Sequence, residues 1–78
     1  MFNFSDQGMA ALVCNNHDLE EIALNSCTLL TDASFIAIAD NCPQLKSLAW
    51  LELPNVVNYA SELYVQDKCP GVAMKSWQ

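Results

Sequence analysis

Four cysteines and one histidine are the side chains of this 78-residue chain with the most versatile chemistry. The cysteines occupy positions Cys14, Cys27, Cys42 and Cys69, and a long stretch of chain separates each from the next. No C-x-x-C pair occurs, so the ligand spacing of a structural zinc site is absent, and we predict no metal and no cofactor. An even number of cysteines permits disulfides, but a reducing compartment would keep them as thiols. We favour buried structural thiols, with Cys14 more exposed, over disulfides or a metal-binding or catalytic role.

His17 follows Cys14 by three residues, a spacing at which a catalytic Cys–His pair is conceivable. The histidine falls in a helix-to-strand connection, however, where nothing in the sequence orients it as a base. Gly8 and Gly71 are the two glycines of the chain and do not form a glycine-rich phosphate loop. We therefore predict that the protein is not an enzyme. The catalytic alternative is a thiol or redox protein that uses Cys14 or Cys27.

The charge balance argues against two classes of partner. The formal net charge is −6, from nine acidic residues against three lysines and no arginine. Nucleic-acid phosphates and anionic membrane surfaces both attract clustered basic residues, so we predict neither as a ligand. Asp18, Glu20 and Glu21 form an acidic patch, which is either a solvated rim or a dock for a basic segment of a protein partner.

Targeting signals are equally sparse in the sequence. The longest apolar runs, Met9–Cys14 and Phe35–Ala39, are far shorter than a membrane span. Met1–Asp6 has neither a basic start nor an apolar signal core. We therefore expect an intracellular protein, cytoplasmic or nuclear, that does not contact a membrane.

The elements that must position these side chains follow from an internal repeat. Shifting the sequence against itself by one repeat length brings similar residues together. The pairs at an offset of 26 are Ser5-Asp6 with Thr31-Asp32, Asn15 with Asn41 and Leu19 with Leu45, and those at 27 are Cys42-Pro43 with Cys69-Pro70 and Trp50 with Trp77. A period of about 20–50 residues is typical of solenoids, in which each unit covers the apolar side of its neighbour.

Each repeat contains a predicted strand. Ile22, Ala23 and Leu24 alternate as a short strand does, and their copy lies within Leu45–Leu53. Val72–Trp77 is predicted as an exposed edge strand. Short strands one repeat apart are expected to lie side by side in the same direction, with the helices on the outer side. The predicted fold class is therefore α/β with a small parallel sheet.

The helices are predicted from apolar stripes that begin at a polar residue. Their predicted ranges are Gln7–Val13, Ala33–Asn41 and Tyr59–Lys68. The predicted N-caps are Asp6, Asp32 and Asn58, because their side chains can accept hydrogen bonds from free backbone N–H groups.

One repeat carries a motif that is found in a known family. Leu19–Cys27 matches the pattern L-x-x-L-x-L-x-x-C, Thr31-Asp32 begins a helix and Cys42-Pro43-Gln44-Leu45 ends it. These residues resemble the cysteine-containing leucine-rich repeat family, as found in F-box/leucine-rich repeat proteins and mitotic-exit antagonist-like proteins. The first unit departs from the family pattern because Asn16 replaces the helix-end cysteine. In the third unit, Lys75 occupies an expected apolar strand position.

The resemblance implies a fold and a class of function. The fold is a single domain, residues 1–78, built as a short leucine-rich repeat solenoid of about three units at roughly 1–18, 19–44 and 45–78. The function is a non-enzymatic protein–protein interaction module, or one that completes a larger assembly. In F-box proteins such repeats are the substrate-receiving arm of a ubiquitin ligase, so a substrate-receptor fragment of that kind is an alternative.

The face of the sheet opposite the core is the predicted binding surface. If Ile22 and Leu24 point into the core, alternation turns the neighbouring side chains to the other face. The predicted partner-binding residues are Glu21, Ala23 and Asn25 of the first strand and Ser47, Ala49 and Leu51 of the second. Concave solenoid surfaces are commonly binding sites, and small residues there leave room for a partner's side chains.

Trp50 and the two ends of the stack complete the predictions. The repeat offset favours Trp50 in the core, whereas an alternative alignment points it outward as a binding hot spot. Both ends are expected to be uncovered, so we predict self-association or assembly through at least one of them. The expected uncovered side chains of the first helix are Phe2, Phe4, Met9 and Leu12.

Overall fold

The computed structural model describes residues 5–25, 27–56 and 58–77. The helices and strands alternate along the chain as α1 (Asp6–Cys14), β1 (Glu21–Asn25), α2 (Asp32–Asn41), β2 (Ser47–Leu51), α3 (Tyr59–Lys68) and β3 (Ala73–Trp77). The strands form one parallel sheet in the order β1-β2-β3. Helix α1 packs against α2, and α2 packs against α3. The predicted α/β class and the side-by-side parallel strands are confirmed. Each helix with the strand that follows it is called a unit below.

One core lies between the sheet and the helices. The strands bury alternate side chains on a single face, Ile22 and Leu24 from β1 and Leu48 and Trp50 from β2. Phe35 of α2 joins the same buried cluster. Burying a side chain of this size stabilises a fold by about 1.5–3 kcal/mol, so the alternation observed here is what holds the helices to the sheet.

Trp50 points into the core, which confirms the orientation that the repeat offset favours. Its ring meets that of Phe35 edge to face, with the ring centroids 5.1 Å apart and the ring planes at 76°. Aromatic pairs of this geometry contribute about 0.5–1.5 kcal/mol beyond the area they bury. The alternative alignment, in which Trp50 lies on the outside, is wrong.

The register of the sheet keeps the same sequence offset in both pairs of strands. Leu24 lies opposite Trp50, and Trp50 lies opposite Ser76. The predicted superposition of Trp50 on Trp77 is therefore wrong, because the backbone of Trp77 pairs with that of Leu51.

The cause of this difference is the connection that precedes β3. Strand β2 begins at Ser47, five residues after Cys42, whereas β3 begins at Ala73, four residues after Cys69. The offset of 27 that relates the helix ends thus becomes 26 in the strands. Lys75 consequently falls on the exposed face of the sheet and not at the apolar strand position that the family pattern would give it.

The N-caps of two helices also differ from the prediction. Ser5 and Thr31 have extended backbones, and their hydroxyl groups accept hydrogen bonds from N–H groups of the first helical turn. Asp6 and Asp32, the predicted caps, are instead the first helical residues, and their carboxylates accept hydrogen bonds from the start of the next helix. The third predicted cap, Asn58, is confirmed.

Asp6 is bonded to the next unit rather than to its own helix. Its carboxylate accepts hydrogen bonds from the Thr31 N–H at 3.0 Å, the Thr31 hydroxyl at 2.7 Å and the Ser34 hydroxyl at 2.5 Å. Burial acts to raise the pKa of Asp6, but the hydrogen bonds from Ser34 and Thr31 outweigh it and hold that pKa below its ordinary value. The ionised carboxylate therefore ties the start of α1 to the start of α2.

Asp32 repeats this contact one unit later. It accepts hydrogen bonds from the Asn58 N–H at 3.0 Å and from the Ser61 hydroxyl at 2.7 Å. Charge-assisted hydrogen bonds of this kind are stronger than neutral ones, so each aspartate fixes the spacing of two neighbouring helices. Helix α3 begins with Tyr59 at the corresponding position, and the series of carboxylate contacts ends there.

The thiols form a second series of contacts between units. The Cys42 thiol donates to the Asn16 carbonyl at 3.5 Å, and the Cys69 thiol donates to the Cys42 carbonyl at 3.2 Å. Burial raises the pKa of both thiols, so they stay protonated and able to donate. Cys27 is also buried and Cys14 is exposed, which confirms the predicted distribution of the four side chains.

The ends of the stack match the prediction only in part. Met9 is fully buried and is therefore not an uncovered side chain, whereas Leu12 of α1 and Leu63 of α3 are 37% and 47% exposed. Phe2 and Phe4 lie outside the described residues. Strand β3 forms one edge of the sheet, as predicted.

Candidate functional site

The six predicted partner-binding residues lie together on the exposed side of the sheet, called the strand face below. They occupy three register pairs across β1 and β2, namely Glu21 with Ser47, Ala23 with Ala49 and Asn25 with Leu51. The β1 residues are exposed and the β2 residues half-buried, because β2 has a neighbouring strand on either side. The sequence alternation thus predicted the position of this face correctly, and its binding role stays a prediction.

A shallow cavity of about 260 Å³ lies beside the last three residues of β1 and of β2, where Ala23 and Ala49 line it. Ala23 and Ala49 leave it open because their side chains are too short to fill the width of two strands. Leu51 and Asn25 also line the cavity. Such a surface can bury an apolar side chain of another protein.

Strand β3 extends this face with a positive charge that the sequence analysis missed. Lys75 lies opposite Ala49 and is exposed, while Glu21 is exposed at the opposite edge of the sheet. The offset of 27 did not predict this position, because it aligns Lys75 with Leu48 and not with Ala49. The face is therefore flanked by one negative and one positive side chain.

The acidic patch of Asp18, Glu20 and Glu21 is exposed, as a solvated rim or a dock would require. Glu20 forms an ion pair with Lys46 of the next unit, with the Lys46 Nζ and Glu20 Oε2 atoms 3.3 Å apart. Both side chains are more than half exposed, so the pair contributes little stability. It does reduce the negative charge that the patch offers to a partner. The signal was present in the sequence, since Lys46 follows Glu20 by one repeat.

One of the residues that could take part in thiol chemistry, His17, is oriented by a backbone contact. His17 is exposed, and its Nδ1 atom lies 2.8 Å from the Asn41 carbonyl oxygen. Because a carbonyl only accepts, Nδ1 carries the proton and the ring is oriented by the backbone of the next unit rather than by Cys14. Among the described residues, no group of three histidine, cysteine or carboxylate side chains could hold a metal ion.

A second and larger concavity, called the β3 crevice below, was not predicted. Its volume is about 630 Å³, and it opens between the loop after β2, the first turn of α3 and β3. The lining residues are Thr28, Trp50, Glu52, Leu53, Pro54, Val56, Glu62 and Ser76. The sequence feature that could have indicated it is the pair of polar residues Glu62 and Ser76. The superposition of Trp50 on Trp77 put a tryptophan where Ser76 lies.

Comparison of the chain with known protein families, curated proteins and solved structures finds no match. None of the helices in the described ranges is long and apolar enough to cross a lipid bilayer.

Proposed function

We propose that this protein is a short leucine-rich repeat solenoid that binds a partner protein through the strand face and catalyses no reaction. The observation that carries the proposal is the shallow cavity beside the last residues of β1 and β2, which Ala23 and Ala49 line. A partner's apolar side chain would bury itself there against Leu51.

Recurring contacts support the solenoid part of the proposal. Both pairs of neighbouring strands keep one constant sequence offset. Carboxylate contacts from Asp6 and Asp32, and thiol contacts from Cys42 and Cys69, join corresponding positions of successive units. In a solenoid each unit contacts only its neighbours, and its stability comes from such interfaces between neighbours.

The test of the strand face uses two matched substitutions. Ala49→Arg fills the cavity with a long charged side chain, whereas Ala11→Arg adds the same side chain at an exposed position of α1. We expect proteins captured from a cell lysate by the wild type to be retained by Ala11→Arg. The same proteins should fall about tenfold or more with Ala49→Arg, which corresponds to a loss of at least about 1.4 kcal/mol. Circular dichroism checks that both variants are folded. Equal capture by Ala49→Arg and the wild type would refute the strand-face proposal.

The thiol alternative is favoured by one observation, the exposure of Cys14. Cys27, its second candidate residue, is buried and donates its proton to the Asn25 carbonyl at 3.7 Å. Alkylation of the native protein separates the two functions, because a redox cysteine reacts as a thiolate. Our proposal predicts that Cys14 reacts no faster than a cysteine in a short unfolded peptide. A much faster reaction would support the thiol function instead.

The ubiquitin-ligase alternative makes a separate prediction. If the chain is a substrate-receptor fragment, a longer reading frame that encodes an F-box-like helical segment is expected.

A further inference from the structure

Two positions that are aromatic in the second unit are polar in the third. Phe35 is the fourth residue of α2, and Glu62 is the fourth residue of α3. Trp50 of β2 lies opposite Ser76 of β3. Phe35 is fully buried and Trp50 nearly so, whereas Glu62 is half-buried and Ser76 is exposed. The backbone thus repeats, while the side chains that would close the third unit do not.

The β3 crevice is the consequence of this change. A glutamate and a serine cannot fill the space that two aromatic rings occupy one unit earlier. Trp50, Leu53 and Val56 are therefore left as an apolar inner wall. The resulting volume of about 630 Å³ lies within the range of about 300–1,000 Å³ that is typical of small-ligand sites.

The polar side of the crevice carries two carboxylates. Glu52 comes from the loop after β2, and Glu62 comes from the first turn of α3. Within the described residues neither carboxylate accepts a hydrogen bond or joins an ion pair. The chain also carries a net charge of −6, so the crevice lies in a field that attracts cations.

An apolar wall facing two carboxylates is complementary to one kind of protein side chain. Lysine and arginine carry a cation on an aliphatic stem, and they bury the stem against apolar surface while the charged end stays near water or an acid. An aromatic residue in the wall adds attraction for a cation. A purely apolar side chain would bury against the wall as well, but it would leave both carboxylates without a counter-charge.

We propose that the β3 crevice binds a lysine or arginine side chain of a protein partner. The stem lies along Trp50, Leu53 and Val56, and the cation lies between Glu52 and Glu62. This proposal rests on the proposed function in that it takes the ligand to be a protein, but it uses a different surface from the strand face. The strand face would bind an apolar side chain and the β3 crevice a basic side chain of the same partner.

The experiment is an NMR titration of the full chain with blocked tripeptides. The probes are Ala-Lys-Ala and Ala-Arg-Ala, and the matched control is Ala-norleucine-Ala, which has the stem of lysine without the charge. We expect the basic peptides to cause saturable shifts of the Trp50 indole N–H and the Ser76 amide, with weak affinity of about millimolar for a single side chain. Affinity should fall as salt rises, since the carboxylates lie near solvent.

Three variants sharpen the result. Glu62→Gln should weaken the basic peptides about fivefold or more, corresponding to the loss of one of two counter-charges. Ser76→Leu fills the crevice with the residue type that stands at Leu24, and it should abolish the shifts. Asp67→Asn removes an exposed carboxylate from the same helix outside the crevice, and its affinity should equal that of the wild type.

Several separate outcomes would overturn the crevice proposal. They are equal binding of the norleucine peptide, unchanged affinity in Glu62→Gln, and the absence of any saturable shift at tens of millimolar peptide. Shifts confined to Ala49 and Leu51 would also overturn it while supporting the strand face. The capture experiment with Ala49→Arg has a separate readout, so failure of the crevice and failure of the proposed function are distinguishable.

Discussion

The second and third units share a backbone arrangement but close their cores differently. In the second unit, Phe35 and Trp50 meet edge to face and seal the space between helix and strand. In the third unit, Glu62 and Ser76 stand at the same positions, and the β3 crevice remains open. The two pairs of strands, β1 with β2 and β2 with β3, each have five paired residues. Strand pairing therefore does not require a filled core beside it.

This difference separates two roles that a repeat can give to one position. The buried aromatic pair of Phe35 and Trp50 stabilises the core of the second unit. The polar pair of Glu62 and Ser76 lacks that stabilisation and leaves the crevice accessible to solvent.

Asp6 joins the first unit to the second, and Asp32 joins the second to the third. The third unit has Tyr59 at the corresponding position. The side chains of α3 and β3 thus differ from those of α2 and β2 both in this contact and beside the sheet.

The largest effect is expected from truncating the core of the second unit. Phe35→Ala should lower the free energy of unfolding by about 3–5 kcal/mol, because it removes a fully buried ring and leaves a cavity. Glu62→Ala changes the corresponding position of the third unit and should have an effect within about 0.5 kcal/mol. Urea denaturation of both variants measures the contrast. Similar losses in the two variants would show that the third unit is as closed as the second.

The next largest effect concerns the carboxylate contacts between units. Asp6→Ala removes three hydrogen bonds to a charged acceptor and should cost about 1.5–3 kcal/mol near pH 7. The matched control is Tyr59→Ala, since Tyr59 is 63% exposed at the corresponding position of α3. Denaturation of both variants at pH 7 makes the comparison, and an equal loss would contradict the role given to the carboxylate.

The same contact predicts a pH dependence with a definite sign. The pKa of Asp6 in the folded protein lies below its ordinary value of 3.8. Its stabilisation is therefore complete above that ordinary value and is lost as the pH falls through the lower native pKa. The difference in stability between the wild type and Asp6→Ala should shrink below about pH 4. A difference that stays constant down to pH 2 would contradict this sign.

A smaller effect is expected from restoring the missing aromatic pair. The double variant Glu62→Phe with Ser76→Trp should close the β3 crevice. The coupling energy between the two substitutions should be about 0.5–1.5 kcal/mol, as for other edge-to-face pairs. A double-mutant cycle in urea measures this energy. A coupling energy of zero would mean that the two positions do not face each other as Phe35 and Trp50 do.

The smallest effect is expected at Glu52. Among the described residues other than glycine, Glu52 alone has a positive φ, which is 57°. A left-handed backbone is costly for a side chain such as glutamate and is tolerated better by asparagine. Glu52→Asn should therefore raise the free energy of unfolding by about 0.5–1 kcal/mol. It should also weaken the basic peptides at the crevice. Loss of stability in this variant would show that Glu52 makes a contact that the fold requires.

Much of the fold could be predicted because local patterns and the repeat agree. The alternation of Ile22, Ala23 and Leu24 determined which side of β1 is buried, and the repeat offset placed β2 beside β1 in the same direction. The repeat also predicted that Cys42 and Cys69 would be buried at equivalent places. The strand face followed directly from these facts, because alternate residues of paired strands share one side.

The errors arose where the outcome depends on distant neighbours or on one residue of loop length. Ser5 and Asp6 can both cap a helix, and only the donors of Thr31 and Ser34, a full repeat further along the chain, decide that Asp6 bonds elsewhere. The shorter connection before β3 changed the register by one residue, which exchanges the two faces of a strand. The crevice was concealed by that same residue, since Trp77 took the place of Ser76 in the predicted alignment.

The register of β3 against β2 is therefore the most direct test of this interpretation. Interstrand backbone NOEs in a labelled sample report which residues lie side by side. The structure predicts that Leu48 neighbours Met74 and that Trp50 neighbours Ser76. NOEs that instead join Leu48 to Lys75 and Trp50 to Trp77 would put a tryptophan at the position of Ser76. That result would contradict both the open core of the third unit and the β3 crevice.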